Sequence, residues 1–269
     1  MFQEVPNYNT FQFKEKCFDY CVVIPVINEN GRIIEQLKRM VNYGIDCIAD
    51  IIIADGNSTD GSTAHDLLCS HNVNTLLVKK DIGRLSAQLR IAYSYALKRG
   101  YKGIVTIDGN NKDSVESIHD FIDLLKKGYD FVQGSRYLKG GKEINTPKIR
   151  NFANKYIHVP IINYLSGYTY TDTTNGFKAY SSKYLNSPLV EPLRDIFTDY
   201  DLLYYLTVKA PHLGFNVREI PVTRSYPSSG TLPTKLSLFQ GSYLMLKPLF
   251  LLAIGCYDLN HNNKINKII

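Results

Sequence analysis

Five short runs of β-branched and aliphatic residues punctuate the first half of the chain: CVVIPV (21–26), DIIIAD (50–55), NTLLVKK (74–80), GIVTID (103–108) and DFVQGS (130–135). Between them lie segments whose apolar residues recur at helical spacing, over 31–44, 59–71, 83–100 and 113–128. This alternation limits the fold more than any other feature. Parallel neighbours need a crossover, and a helix is the usual one, so the rhythm predicts an α/β fold with a mostly parallel sheet and helices on both faces. Segments 31–44 and 83–100 close on glycine, as helices commonly do. Asp113 and Glu116 have the spacing of a capping box at the head of the fourth helix.

In open α/β sheets, ligands bind beyond the carboxyl ends of the strands. Three polar clusters stand there: Pro25 to Glu29, Asp55 to Asn57, and Asp108 to Asn111. One such cluster is ordinarily a solvated loop; three in register point to a site. Residues 147–167 read as a helix, 171–180 as a turn into a strand, 198–214 as a helix, and 215–224 as a strand. A loop rich in Ser, Gly and Pro follows over 225–235.

Composition narrows the partners. A hydrophobic share of 44% with 21% charged residues is that of a globular chain. A net charge of +6 favours anionic ligands or a membrane surface without requiring nucleic acid. The five cysteines fit no zinc module and read as reduced thiols of a cytoplasmic protein. The first twenty residues mix acids with lysines, unlike a secretory signal. From 236 to 257 the chain is strongly apolar, but Gln240, Lys247 and Pro248 interrupt it. Its unbroken part is about half of what a bilayer needs. A helix in the membrane interface, one packed on the domain, and one buried in a homo-oligomer all remain open.

The motifs VVIPVINENGRI, IIIADGNSTDGST, GIVTIDGNNKDS, VQGSRYLKGG, TDTTNGFKAY and VREIPVTR occur in this order. Their order and spacing resemble family 2 glycosyltransferases of the GT-A fold, and most closely the polyprenyl- or dolichyl-phosphate sugar synthases. The likeness runs from Asp19 to Leu236. It implies one GT-A domain over 1–236, with a nucleotide-sugar half over about 19–135, an acceptor half over about 136–236, and an appended hydrophobic helix and tail.

The resemblance also implies roles. Pro25, Val26, Asn28, Glu29, Asp55, Arg84, Asp108, Gly109, Arg224 and Lys235 fall at positions that hold the nucleotide-sugar. Glu29 also reads as a helix N-terminal charge, and Asp55 as a turn former. The family usually carries Asp-x-Asp at 108–110 to hold a divalent cation against the diphosphate. Here Asp108 is kept and Asn110 stands second, so Mg²⁺ or Mn²⁺ is expected at a site with less charge. Lys112 occupies the place of a frequent metal-binding glutamine and offers a positive charge of its own. Asp113 reads as a helix cap only. Arg136 and Arg150 match the arginines that hold a lipid phosphate, and Asn154 stands where a serine often does. Lys139 and Lys142 read as surface charges.

The acceptor decides whether a base is needed. A phosphate monoester is already anionic, whereas a sugar hydroxyl must lose a proton. Asp201 then serves as base or orients the sugar; it also reads as a first-turn helix acid. The expectation is inverting transfer from a nucleoside diphosphate sugar to a polyprenyl phosphate, at the cytoplasmic face of a membrane. The alternatives are a sugar-hydroxyl acceptor, a non-catalytic nucleotide-sugar-binding protein, and a sugar-nucleotide nucleotidyltransferase. The last lacks a glycine-rich phosphate loop near the N-terminus.

Overall fold

The structure, a computed structural model, describes residues 5–227 and 238–259. Its elements run β1 (Tyr8–Gln12), β2 (Tyr20–Val26), α1 (Gly31–Asn42), β3 (Asp50–Asp55), α2 (His65–Ser70), β4 (Thr75–Lys79), α3 (Leu85–Lys98), β5 (Gly103–Thr106), α4 (Ile118–Lys126), β6 (Phe131–Ser135) and β7 (Lys142–Ile144). They continue through α5 (Lys148–Ala153), α6 (Val159–Ser166), β8 (Lys178–Ser181), α7 (Ser182–Leu185), α8 (Asp201–His212), β9 (Val217–Pro221), β10 (Thr223–Ser225) and α9 (Leu238–Ala253).

Eight strands form one sheet in the order β1-β4-β3-β2-β5-β8-β6-β9. The pairs among β4, β3, β2 and β5 are parallel, as is β6 with β9. Strand β8 enters antiparallel between β5 and β6, and β1 closes one edge antiparallel to β4. The expected mostly parallel α/β sheet is therefore present. Alternate residues of each strand face opposite sides. Cys21, Val23, Ile52 and Ile104 meet α3 and α8 on one face; Val22, Ile24, Ile51 and Val105 meet α1 and α4 on the other. With both faces covered, the central strands β2 and β3 are buried almost along their whole length.

Several expected boundaries shift. Helix α2 starts only at His65, because residues 55–63 form a tied loop instead. The fourth helix begins at Ile118, after a 3₁₀ turn over Val115–Ser117. Residues 148–166 are helical throughout, with a π-helical turn at Asn154–His158. The last expected strand breaks at Val222. Its second part, β10, leaves the main sheet and pairs with β7 in a two-stranded ribbon.

Candidate active site

Asparagine shapes the loops that leave β2, β3 and β5. Asn28, Asn30, Asn57 and Asn111 all have positive φ, a region asparagine tolerates better than most residues. Carboxylates then tie the loops together. Asp55 accepts from the Ser58 amide at 3.0 Å, the Ser58 hydroxyl at 2.6 Å and the Thr63 hydroxyl at 3.2 Å. Asp60 accepts from the Asn30 amide at 2.7 Å. Asn28 donates its amide to Ser58 Oγ and accepts from the Thr59 amide. The Asp55 carboxylate is thus buried and engaged in its own turn. Glu29 pairs with Arg32 at 2.8 Å. Pro25 and Val26 finish β2, and the Val26 carbonyl accepts from Gly56 N and Gln88 Nε2, both at 2.8 Å.

Asp108 follows β5, and two glycines let the backbone close around it. A Cβ on Gly109 would stand 2.9 Å from Val26 Cγ2, and one on Gly176 would stand 2.9 Å from Asp108 Oδ1. Arg224 donates from Nη2 to Asp108 Oδ2 at 2.9 Å and from Nη1 to Asp113. Asp113 is therefore no helix cap, and that expectation is corrected. Its side chain is fully buried, and an isolated bridge pairs it with Arg224.

Three cations gather around one aromatic ring. Lys112 Nζ lies 4.7 Å from the Tyr226 centroid, and the guanidinium carbons of Arg150 and Arg224 each lie 5.8 Å away. Arg150 also donates to the Tyr226 hydroxyl at 3.3 Å. Burial pushes the Tyr226 pKa up, but Arg224 and Arg150 outweigh it and hold it below the ordinary phenol value. Burial, then Arg224, lowers the pKa of Lys112. For Arg224 burial opposes the charge, yet Asp113 and Asp108 raise its pKa well above the usual value. The pocket is built to receive negative charge.

The expected metal centre does not fit these donors. Asp108 and Asp113 supply the carboxylates, and Arg224 already holds both. Asn110 is neutral, and its Nδ2 faces Asp108 Oδ2 at 3.4 Å. Its Oδ1 is buried with no hydrogen-bond partner among the described residues, and so is Oδ1 of Asp113. A hard divalent cation at a phosphate site commonly takes one or two carboxylates and completes its shell with phosphate oxygens and water, so the mismatch lies in the guanidinium already seated on both acids. Among the described residues no group of three His, Cys, Asp or Glu side chains gathers at metal-binding distance.

The acceptor half is a polar network. Arg136 grips Asp172 with a two-pronged fork, at 2.7 and 2.9 Å, and reaches Thr174 at 2.8 Å. Asn154 donates to the same Asp172 at 3.2 Å. Glu219 accepts from the Thr171 and Asp172 amides and fixes the turn. Arg136 is buried in this pair, while Arg150 is exposed on α5. Lys139 and Lys142 are exposed, as expected. Asp201 is buried in the first turn of α8, where it accepts from the Thr198 and Leu202 amides, and burial raises its pKa. The neighbouring Asp199 faces Arg84 at 3.6 Å. Lys235 lies outside the described residues. Tyr226, Asp172 and Gly176 escaped the sequence reading, as did the ion-pair role of Asp113. An acid just before a helix looks like a cap whichever way it points, and nothing in SYPSSG marks its tyrosine.

The family model "Glycosyl transferase family 2" matches residues 21–187. The chain belongs to that family. Among curated relatives, the polyprenol monophosphomannose synthase of Mycolicibacterium smegmatis is 26% identical over 204 residues, 75% of this chain and 76% of that one. The dolichyl-phosphate hexose transferase of Haloferax volcanii is 29% identical over 76% of this chain and 82% of its own length. Among solved structures, glucosyl-3-phosphoglycerate synthase from Mycobacterium tuberculosis in complex with Mg²⁺ and uridine-diphosphate aligns with a TM-score of 0.64 at 15% identity. That alignment covers 88% of this chain and 79% of that one. This likeness shows the GT-A fold. The family 2 chain is an enzyme of the glycosyltransferase class.

Proposed function

We propose that the enzyme moves a sugar, with inversion, from a nucleoside diphosphate sugar to a polyprenyl- or dolichyl-type lipid phosphate. The carrying observation is the cluster of Lys112, Arg150 and Arg224 around Tyr226, with Arg150 exposed on α5 among apolar side chains. Ile149 and Phe152 flank Arg150 on α5, and both are 57% exposed. Tyr156 and Tyr164 continue that exposure, and Phe250 presents itself on α9. An apolar groove of about 600 Å³ runs between α6 and α9, lined by Pro160, Ile161, Tyr164, Leu246, Leu249 and Phe250. A phosphate carried on a greasy chain matches both halves of this surface. Among the described residues no helix is long and apolar enough to cross a membrane; the exposed apolar side chains of α5, α6 and α9 support a lipid met at the membrane interface.

Chemistry supports the same acceptor. A lipid phosphate attacks as an anion and needs no base. A sugar hydroxyl needs one, and the oxygens of Asp201 already accept from the Thr198 and Leu202 amides of its own helix turn. Asp55, Asn28 and Glu29 shape the donor crevice, while Asp108 and Arg224 stand where the diphosphate departs. The test is transfer of labelled sugar from UDP-, GDP- and dTDP-sugars to a short polyprenyl phosphate, with Mn²⁺ supplied. Label extracted into organic solvent supports the reading. Donor hydrolysis or transfer only to water-soluble sugars rejects it.

A further inference from the structure

The mismatch between this pocket and a divalent cation has a positive counterpart in the chain itself. We propose that Lys112 and Arg224 do the work of a metal ion, so that donor binding and transfer are metal-independent. This rests on the nucleoside diphosphate donor proposed above.

Three observations carry it. The first is charge: Lys112, Arg150 and Arg224 share the Tyr226 ring, and the carboxylates on Arg224 are Asp108 and Asp113. A divalent ion would add charge to a pocket that is already cationic, and like charges in a partly buried site repel strongly. The second is engagement: Arg224 already bridges Asp108 and Asp113, so a metal would first have to displace a fixed guanidinium from a fully buried acid. The third is position. Lys112 is buried and held against Tyr226, with the Asp108 carboxylate near enough to favour its charge. Its ammonium is placed for an anion that arrives with the donor. The orphan Asn110 Oδ1 is a ready acceptor for a ligand hydroxyl or for that ammonium.

The step balances without a cofactor. The acceptor oxygen forms a bond to the anomeric carbon as the bond from that carbon to the diphosphate oxygen breaks. The electron pair leaves on the diphosphate, where Lys112 and Arg224 meet it with charged hydrogen bonds and pass no proton. Fixed cations aimed at developing charge are an effective form of catalytic electrostatics.

The experiment is calorimetric binding of UDP, GDP and dTDP to the full chain, in EDTA and in Mn²⁺, with free Mn²⁺ followed by electron paramagnetic resonance. Expected for the wild type is an affinity that changes less than about threefold between the two buffers, and no Mn²⁺ uptake without nucleotide. Lys112→Gln should weaken binding in EDTA by about tenfold or more, the usual size of a charged hydrogen bond, and Lys112→Arg should restore part of it. Asn110→Asp with Lys112→Gln rebuilds an acidic site and should become Mn²⁺-dependent. Wild-type binding that disappears in EDTA and returns with Mn²⁺ overturns the inference and leaves the donor reading intact. Absence of binding to any of the three diphosphates in either buffer overturns both.

Discussion

At the residue scale, the chain concentrates its charge in two arginine forks with different duties. Arg136 and Asp172 form a buried pair with two short contacts, 2.7 and 2.9 Å. Removing one partner of such a pair leaves an uncompensated buried charge. Asp172→Asn should therefore cost about 3 kcal/mol of stability, read as a lower urea midpoint. Arg150 is the opposite case, exposed and leaning on Tyr226. Arg150→Gln should leave the urea midpoint unchanged while raising the KM for polyprenyl phosphate about tenfold, with donor affinity retained. A guanidinium fork is not replaced by an ammonium, so Arg150→Lys should recover only part of that loss. The sequence treated Arg136 and Arg150 alike, because motif position reports residue type and order. What separates them is Asp172, distant in sequence and brought in by the β8 insertion.

At the scale of elements, the central strands were readable because burial on both faces leaves a continuous apolar run, as in DIIIAD. Strand β1, YNTFQ, was not: it is a short, half-polar edge strand whose hydrogen bonds to β4 define it more than its side chains do. Strands β7 and β10 are three residues each and exist only through each other. The π-helical turn within 148–166 was equally hidden, since it keeps the helical apolar spacing. That turn buries His158, stacked on Tyr204 at 5.7 Å, and burial lowers its pKa from 6.5 to about 4. The unfolded chain takes up a proton below 6.5 that the fold refuses until about 4. Stability therefore rises with pH across this window and is lost as pH falls through it, by roughly 3 kcal/mol in full. Urea midpoints at pH 4.5 and pH 7 should differ in the wild type. His158→Phe keeps the stacked ring and should flatten most of that difference.

At the scale of the whole molecule, charge and apolar surface lie on neighbouring parts of one side. Arg150 leans on Tyr226 from α5, and the exposed Phe152 and Tyr156 follow it, their rings 4.9 Å apart. Phe250, 63% exposed, adds its ring from α9 beside the apolar groove. Isolated exposed aromatics are ordinary; a contiguous set beside a groove marks an interaction surface. If this surface meets the lipid, its residues act on the acceptor alone, because none of them touches the Asp108–Arg224 pair. Replacing Phe152 and Phe250 together by Glu puts two carboxylates where a bilayer surface or an isoprenoid chain would lie. The pair of substitutions should reduce co-sedimentation with anionic vesicles and raise the KM for a long-chain polyprenyl phosphate by about tenfold or more, since each lost burial is worth roughly 1.5–3 kcal/mol. Diphosphate affinity and the urea midpoint should stay at wild-type values. A variant that binds vesicles as before and turns over long and short lipids alike would mean that the apolar face serves another contact, with the lipid phosphate recognised by the cations alone.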